Sequence, residues 1–367
     1  MNARNKNCEV AEKQWSTSLR RTSRCLLMLL LFFAVFWGDQ WGLGLEKVLS
    51  ASNEQTAEED EDKTTSKDLD SIEKVNKNVV HEPDMNTLLG QRLSLEKMRS
   101  LQTRWSAFRN SSISWGKGVG RKIAFTFDDG PSQVVTPLVM EYLEDHGIRG
   151  TFFVNGRRFS GRSAVAVKNR EILLELAKRG HYIGNHTHSH PMLKTQPTNR
   201  QKWEVFTVHK AIMRTTGLRP FLYRPPFGGQ TSYSRRLLEK AGYATVMWNL
   251  SSNDPFGRHV EKVHKTVMNK VHRDNGGIIL MHDTNGWAAC SIPLLVQSIL
   301  IESCKLIRRG EEPYLILGLE HFRVPEGEKA PRPTPAGQLE AAHRRAEIVK
   351  FCSLKDEAEE TVENRGK

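Results

Sequence analysis

From about residue 117 to residue 324 the chain alternates short apolar runs with helical stretches, and this alternation restricts the fold more than any other feature. The runs are "KIAFTF", "GTFFVNG", "YIGNH", "FLYRPP", "YATVMWN", "GGIILMHD" and "YLILGL". Between them lie "TPLVMEYLEDHG", "NREILLELAKRG", "NRQKWEVFTVHKAIMRTTG" and "SYSRRLLEKAG", several of which end in Gly, the usual left-handed stop of a helix. Strand and helix alternating at this spacing predict an α/β fold with a parallel sheet. Seven strands in about 210 residues are too few for a regular eight-fold barrel, so an irregular (β/α)7 barrel is expected.

The flanks differ in composition. Arg20, Arg21 and Arg24 precede "CLLMLLLFFAVFW", residues 25–37, an apolar run short for a membrane span and suited to the core of a secretory signal. No clear small-x-small cleavage site follows, so residues 1–45 are read as a signal peptide or an uncleaved membrane anchor. Either way the protein is expected to be exported, to a periplasm or cell surface. Residues 46–85 are polar and acidic, too poor in apolar groups to offset ordering entropy, and read as a disordered linker. Residues 86–116 suit a helical extension, with Leu88, Leu89, Leu93, Leu95 and Met98 roughly on one side. Residues 325–367 form a Pro-rich, then charged, tail to which no function attaches.

The net charge is +12, and the excess lies in residues 115–324, where 30 Lys and Arg face 17 Asp and Glu. A basic body favours a polyanionic or carboxylate-bearing partner. The basic residues are scattered and no nucleic-acid motif is visible, so no nucleic-acid partner is expected. The five cysteines show neither metal-type spacing nor a disulfide framework. Cys290 and Cys304, at the two ends of one helix, would stand roughly 21 Å apart, too far to bridge.

Polar residues of chemical interest cluster after the predicted strands, at the end where α/β folds build their sites. They are Asp128-Asp129, "HTHSH" at 186–190, "YRPPFG" at 223–228, Asp254 and His282-Asp283. Two adjacent carboxylates are costly to bury without a cation. Successive strand residues face opposite ways, so both aspartates reach one site only if Gly130-Pro131 breaks the strand; the alternative is a turn cap on the next helix. His186 and His190, four apart, share a face on a helix or tight turn and can grip one ion. Alternatively they are an exposed pair, or a core pair satisfied by backbone carbonyls. Two imidazoles and one carboxylate make a three-ligand site with open positions.

"TFDDGP", "TFFVNG", "IGNHTHSHPML", "RPPFG" and "IILMHD" resemble, in order, the motifs of the polysaccharide deacetylase (NodB-like) family, carbohydrate esterase family four. The resemblance covers residues 121–320, within a domain placed at 117–324, and implies a distorted TIM-like barrel that hydrolyses acetyl groups of glycans. It makes Asp128 the general base. Asp129, His186 and His190 become ligands of a metal, usually Zn2+, with Co2+ or Fe2+ compatible with the same donors. Arg224 pairs with the base, the backbone N–H of Phe227 meets the oxyanion, and His282, held by Asp254, is the general acid. Leu280 lines the acetyl pocket. Asp254-Pro255 stands where the family commonly has Asp-Trp, and Trp287 is a candidate replacement for the missing wall. The implied substrate is an acetylated polysaccharide or oligosaccharide, peptidoglycan or chitin-like, with the membrane as a partner through the N-terminal segment. The alternatives are an O-acetyl polysaccharide esterase and an inactive, membrane-tethered glycan-binding protein.

Overall fold

The computed structural model describes residues 93–365, apart from residues 114, 117, 118 and 258, with side chains described as far as Lys355. The signal or anchor over 1–45, the acidic linker over 46–85 and the first residues of the helical extension lie outside the described residues.

The body is an α/β fold whose central strand is β2 (Lys122–Asp128). Its parallel neighbours are β3 (Thr151–Val154) on one edge and β8 (Gly277–His282) on the other. The sheet continues through β4 (Tyr182–Asn185), β5 (Leu222–Tyr223) and β6 (Ala244–Thr245) on one side and β7 (Leu250–Ser251) on the other. A further short strand, β9 (Leu315–Ile316), pairs with Lys122 and Ile123. The seven main strands run parallel, as the alternation predicts.

The expected strand "YATVMWN" is in fact two. β6 ends at Thr245 and β7 begins at Leu250, yet they occupy opposite edges of the seven-strand path. Seven strands laid flat would hold their edges about 29 Å apart. Five residue steps reach only about 18 Å. The sheet must therefore curl, and it forms a half-barrel in which the chain from Val246 to Asn249 crosses the gap.

Period-two alternation sorts β2 between two environments. Phe125 and Phe127 are buried among other aromatics, Phe127 stacking on Phe152 with ring centres 5.0 Å apart. Thr126 and Asp128 face the opposite way and meet Arg224. Because both faces are covered, the strand reads as a nearly continuous apolar run.

Six helices follow the strands: α2 (Val135–Asp145), α3 (Ala164–Lys178), α4 (Thr198–Thr216), α5 (Ser232–Lys240), α6 (Val260–Asp274) and α7 (Gly286–Arg308). They pack side by side, with α2 and α6 against α7 and α3 against α4. Before the body comes α1 (Leu95–Ser106), started by Ser94, whose Oγ accepts from Lys97 N at 3.2 Å. Its buried face is Leu101 and Trp105, while Leu95, expected inside, is 72% exposed. Of the residues expected on that side, Leu93 is buried and Met98 packs against the core, so Leu95 is the departure among the described residues.

A two-residue antiparallel ribbon, β1 (Ser112–Ile113) with β10 (Arg323–Val324), ties the approach to the body to its exit. The charged tail forms α8 (Pro335–Arg365), which lies against α7. Ile348 and Cys352 are buried against it, and Cys304 and Cys352 form a disulfide with Cα atoms 5.4 Å apart. This corrects the expectation of no disulfide. The partners are 48 residues apart in sequence, and only the docking of α8 brings them together.

In the chain-entropy view a loop of that length contributes about 4 kcal/mol through the unfolded state. Cys352→Ser is expected to lower the free energy of unfolding by about 2–4 kcal/mol. Under a reductant the difference in urea midpoint between wild type and variant should vanish.

Candidate metal centre and active site

The chemistry-bearing residues follow the C-terminal ends of neighbouring strands and therefore meet on one rim. Arg224 follows β5, His186 follows β4, Asp128 closes β2, His282 closes β8 and Asp254 lies three residues beyond β7. Asp128 and His282 are direct register partners. The residues singled out after these strands are thus brought together, with Asp129 and His190 on the same rim.

Asp129 joins Asp128 by a backbone reversal at Asp129 itself, where φ is +74°. The sequence reading put the break at Gly130-Pro131. Gly130 is required for a different reason, since a Cβ there would collide with the carboxylate of buried Asp283. Seven non-glycine residues among those described have positive φ. Three are Asn, which tolerates the left-handed region. The other four are Asp129, Thr187, His190 and Phe227, all on this rim. Such backbone costs about 1 kcal/mol or more per residue and persists where the surroundings over-determine it.

The surroundings of "HTHSH" show how. The segment is an irregular loop, not a helical turn. Buried Glu204 on α4 accepts from His188 N and Ser189 N, both at 2.8 Å, and its other oxygen accepts from Ser189 Oγ. Asn185 Oδ1 accepts from Thr187 N at 2.9 Å. These anchors turn His186 and His190 to the same side, with ring centres 4.9 Å apart. His188 turns away and packs edge-on against Trp203.

Asp129 Oδ1 lies 3.6 Å from His186 Nε2 and 3.4 Å from His190 Nε2. These are poor hydrogen-bond lengths. Donors held about 2.1 Å from a tetrahedral ion stand about 3.4 Å from one another. The three donor atoms all fall within 4.8 Å of each other, and Asp129 Oδ1 is buried with no hydrogen-bond partner. His186 Nδ1 is 2.8 Å from the Arg224 carbonyl, which can only accept, so Nδ1 carries the proton and Nε2 presents its lone pair to Asp129. Burial, helped by His186, pushes the His190 imidazole below its ordinary value. Burial works against the Asp129 carboxylate, but His186, His190 and His282 outweigh it and hold Asp129 below the usual carboxylate range. An ionised carboxylate beside an imidazole that gives up its proton readily suits a divalent cation. The residues present fit a metal ion.

Asp128 is held apart from that group. Its Oδ1 accepts from Arg224 Nη1 at 2.8 Å, and its Oδ2 lies 3.7 Å from His186 Nε2. Arg224 is fully buried. It also donates to Thr126 Oγ1 and to the carbonyls of Val246 and Met247. Phe153 and Trp248 flank its guanidinium, at 4.2 and 5.4 Å from the ring centres. Burial pushes the guanidinium below its ordinary value and Asp128 pulls it back.

Across the rim, His282 Nδ1 is 3.0 Å from Asp254 Oδ1, which also accepts from Ser252 Oγ. Asn285 Nδ2 donates to the Asp254 carbonyl at 2.6 Å. Leu280 is buried two residues earlier on the same strand. Phe227 is exposed on the lip, its ring edge-on to His190 at 4.7 Å. Since Pro225 and Pro226 lack N–H groups, the first backbone donor after Arg224 belongs to Phe227. Trp287, at the start of α7, is half-buried against the core and tilts over His259 at 5.8 Å.

Sequence reasoning missed Glu204, Asn185, Thr126 and Trp248. Thr126 alone carried a signal, two positions before Asp128 on the same strand face. Glu204 sits in an ordinary helical pattern that says nothing of the loop it holds.

Burial pushes the His282 imidazole down, but the hydrogen bond and charge of Asp254, with Asp128 and Asp129, raise it to about 9. The folded value thus lies above the unfolded value of about 6.5. The stabilisation is complete below about pH 6.5 and fades as pH rises to about 9. In metal-free Asp254→Asn, proton NMR should show His282 titrating at a distinctly lower pH than in wild type. The stability deficit of the variant should be largest below about pH 6.5 and shrink towards pH 9. An unmoved titration would refute the pairing.

The sequence profile of the polysaccharide deacetylase family matches residues 116–246, the stretch that carries Asp128, Asp129, His186, His190 and Arg224. The peptidoglycan-N-acetylglucosamine deacetylase PgdA of Listeria monocytogenes is 32% identical over 172 residues, 47% of this chain and 34% of that protein. The chitooligosaccharide deacetylase of Azorhizobium caulinodans is 31% identical over 163 residues, 44% of this chain and 73% of that protein. A solved family 4 carbohydrate esterase from Streptomyces lividans, in complex with acetate, is 26% identical with a TM-score of 0.45, over 57% of this chain and 98% of that one. The chain spans about a third of the length of the Listeria relative. It covers nearly three quarters of the Azorhizobium protein at better than 30% identity, and with the profile match this makes the chain a member of the polysaccharide deacetylase family.

Proposed function

We propose that this protein is a metal-dependent deacetylase that removes acetyl groups from the N-acetylated sugars of an extracellular glycan, peptidoglycan or a chitin-like oligosaccharide. The observation that carries the reading is the set of three donors at ligand spacing, including a buried, partnerless Asp129 oxygen, beside a second carboxylate that Arg224 keeps out of the set.

Asp129, His186 and His190 would hold the ion, and two imidazoles with one carboxylate suit Zn2+ as well as Co2+ or Fe2+. When bound, the ion supplies a Lewis acid that lowers the pKa of water and polarises the acetyl carbonyl. With Oδ1 committed to Arg224, Asp128 has Oδ2 to take the proton of the attacking water. The N–H of Phe227 meets the charge that develops on the carbonyl oxygen. His282, charged at neutral pH through Asp254, gives its proton to the departing nitrogen, which leaves as the sugar amine. Leu280 forms an apolar floor for the acetyl methyl.

The setting supports an exported enzyme. The Cys304–Cys352 bridge belongs in an oxidising compartment. Its relatives named for peptidoglycan act on cell-wall material.

Acetate release from N-acetylated chito-oligosaccharides and from peptidoglycan, with and without a chelator, tests reaction class and metal need together. Asp128→Asn should lose activity by at least about a hundredfold while its metal content stays near wild type. His186→Ala should lose both. If Asp128→Asn instead emptied the site and recovered activity on added metal, the roles of the two aspartates would be reversed. Acetate from O-acetylated xylan alone would select the ester reading.

A further inference from the structure

A groove of about 1040 Å³ runs away from the candidate site along the open edge of the half-barrel. It starts at Gly228 and Met247. Gly228 adjoins Phe227 in the chain, and the Met247 carbonyl accepts from Arg224. It then follows β6 past Thr245 and Tyr243 to the β1–β10 ribbon, where Ser112, Ile113 and Val324 form the far wall. The edge strand is only two residues long, and no further strand pairs with it among the described residues, although β1 of the ribbon lies close by.

Five cations line this groove: Arg109, Lys194, Arg219, Arg235 and Lys240. Elsewhere arginines such as Arg121, Arg179 and Arg345 end on carboxylates, Glu311, Glu144 and Glu312, while others such as Arg157, Arg162 and Arg214 stand singly on the surface. None of the five makes an ion pair among the described residues. Of the carboxylates on the same walls, Glu239, Glu326 and Glu328, the last is already matched by Arg332 at 3.0 Å. Arg219 is half-buried, its Nε has no hydrogen-bond partner, and burial together with nearby Arg109 pushes its guanidinium below its ordinary value. An excess of one charge sign gathered in a concave surface raises the local concentration of anions. One wall also carries Trp115, whose side chain is 62% exposed. An exposed indole offers a flat apolar face that a sugar ring can cover. The groove is joined to the site through Lys194, four residues after His190, whose stem runs along Gly229 in the loop that carries Phe227.

We propose that this groove binds the carboxylate-bearing portion of an extended glycan whose acetamide lies in the site. The inference rests on the deacetylase reading above and deepens it, since it selects an acidic glycan over a neutral one. A neutral chito-oligosaccharide would gain nothing from five unmatched cations. A glycan with carboxylates on its sugars, or on peptides attached to them, would gain from both the cations and the indole.

The test uses the full, metal-loaded chain with Arg109→Glu/Arg235→Glu and, separately, Trp115→Ala, all at exposed positions outside the reacting group. An exposed ion pair is worth up to about 1 kcal/mol, or about fivefold, so reversing two charges should raise KM on acidic strands about tenfold or more. For the double variant kcat should hold, added salt should shrink the difference, and KM on the neutral oligosaccharide should not change, whereas Trp115→Ala should raise KM on acidic strands in a way that salt does not alter. Strands stripped of peptide, which keep only the sugar carboxylates, are compared with strands that retain it, and the arm with the larger change identifies the carboxylate. For the double variant, equal changes on acidic and neutral substrates, or none on either, would overturn the proposal, and so would an unchanged KM of Trp115→Ala on acidic strands. So would polyglutamate competing as well as the acidic glycan. If wild type releases no acetate from any substrate, the deacetylase reading fails and calorimetry decides the groove separately. A tenfold weaker binding of acidic strands by the double variant then supports it, and an unchanged Kd overturns it.

Discussion

At the centre of the half-barrel a guanidinium with no exposure to solvent holds the walls together. Arg224 enters from the end of β5, meets Asp128 and Thr126 on β2, and donates to Val246 and Met247 in the segment that crosses the gap between β6 and β7. Phe153 and Trp248 close over its faces. Removing one partner of such a buried pair leaves an unmatched charge, at a cost of about 3–5 kcal/mol. One ion pair therefore both supports the curl of the sheet and fixes the carboxylate of Asp128. The same residue fixes His186, whose Nδ1 is bound to its carbonyl.

The rim built on that frame is locally unfavourable. Asp129, Thr187, His190 and Phe227 all occupy a backbone region that non-glycine residues avoid. The body over-determines these conformations through hydrogen bonds that the loop amides donate to Glu204 and Asn185 and through strands fixed in register. What results is a cluster of groups whose protonation is opposed in sign. Asp129 is held ionised beside a neutralised His190, while His282 on the other side is held charged by Asp254. A carboxylate flanked by imidazoles can receive a cation, and a charged imidazole across from it can release a proton. The division follows from which partner each group meets, since the residue types on both sides are the same.

The periphery completes the body. The β1–β10 ribbon joins the two ends of the described core, and α8 is pinned through the Cys304–Cys352 bridge. Along the β6 edge five cations without ion pairs gather in one groove between the short edge strand and the β1–β10 ribbon.

The alternation of apolar runs with Gly-terminated helices determined the α/β class and the parallel sheet, because burial on both faces writes itself into local composition. The clusters after each run pointed to one rim, because a parallel sheet puts the same end of every strand on one side. Local pattern carries no information about what lies across space, and there the reading stopped. It merged β6 with β7, since only the curl sends Ala244–Thr245 and Leu250–Ser251 to opposite edges. It missed Glu204, whose partners are distant backbone amides, and it found no use for Cys352 because its partner lies 48 residues away on another helix. Residue types and their order fixed which chemistry was available. Tertiary structure decided which carboxylate stays with an arginine and which is left for a cation, because only packing sets who stands within a few ångströms of whom.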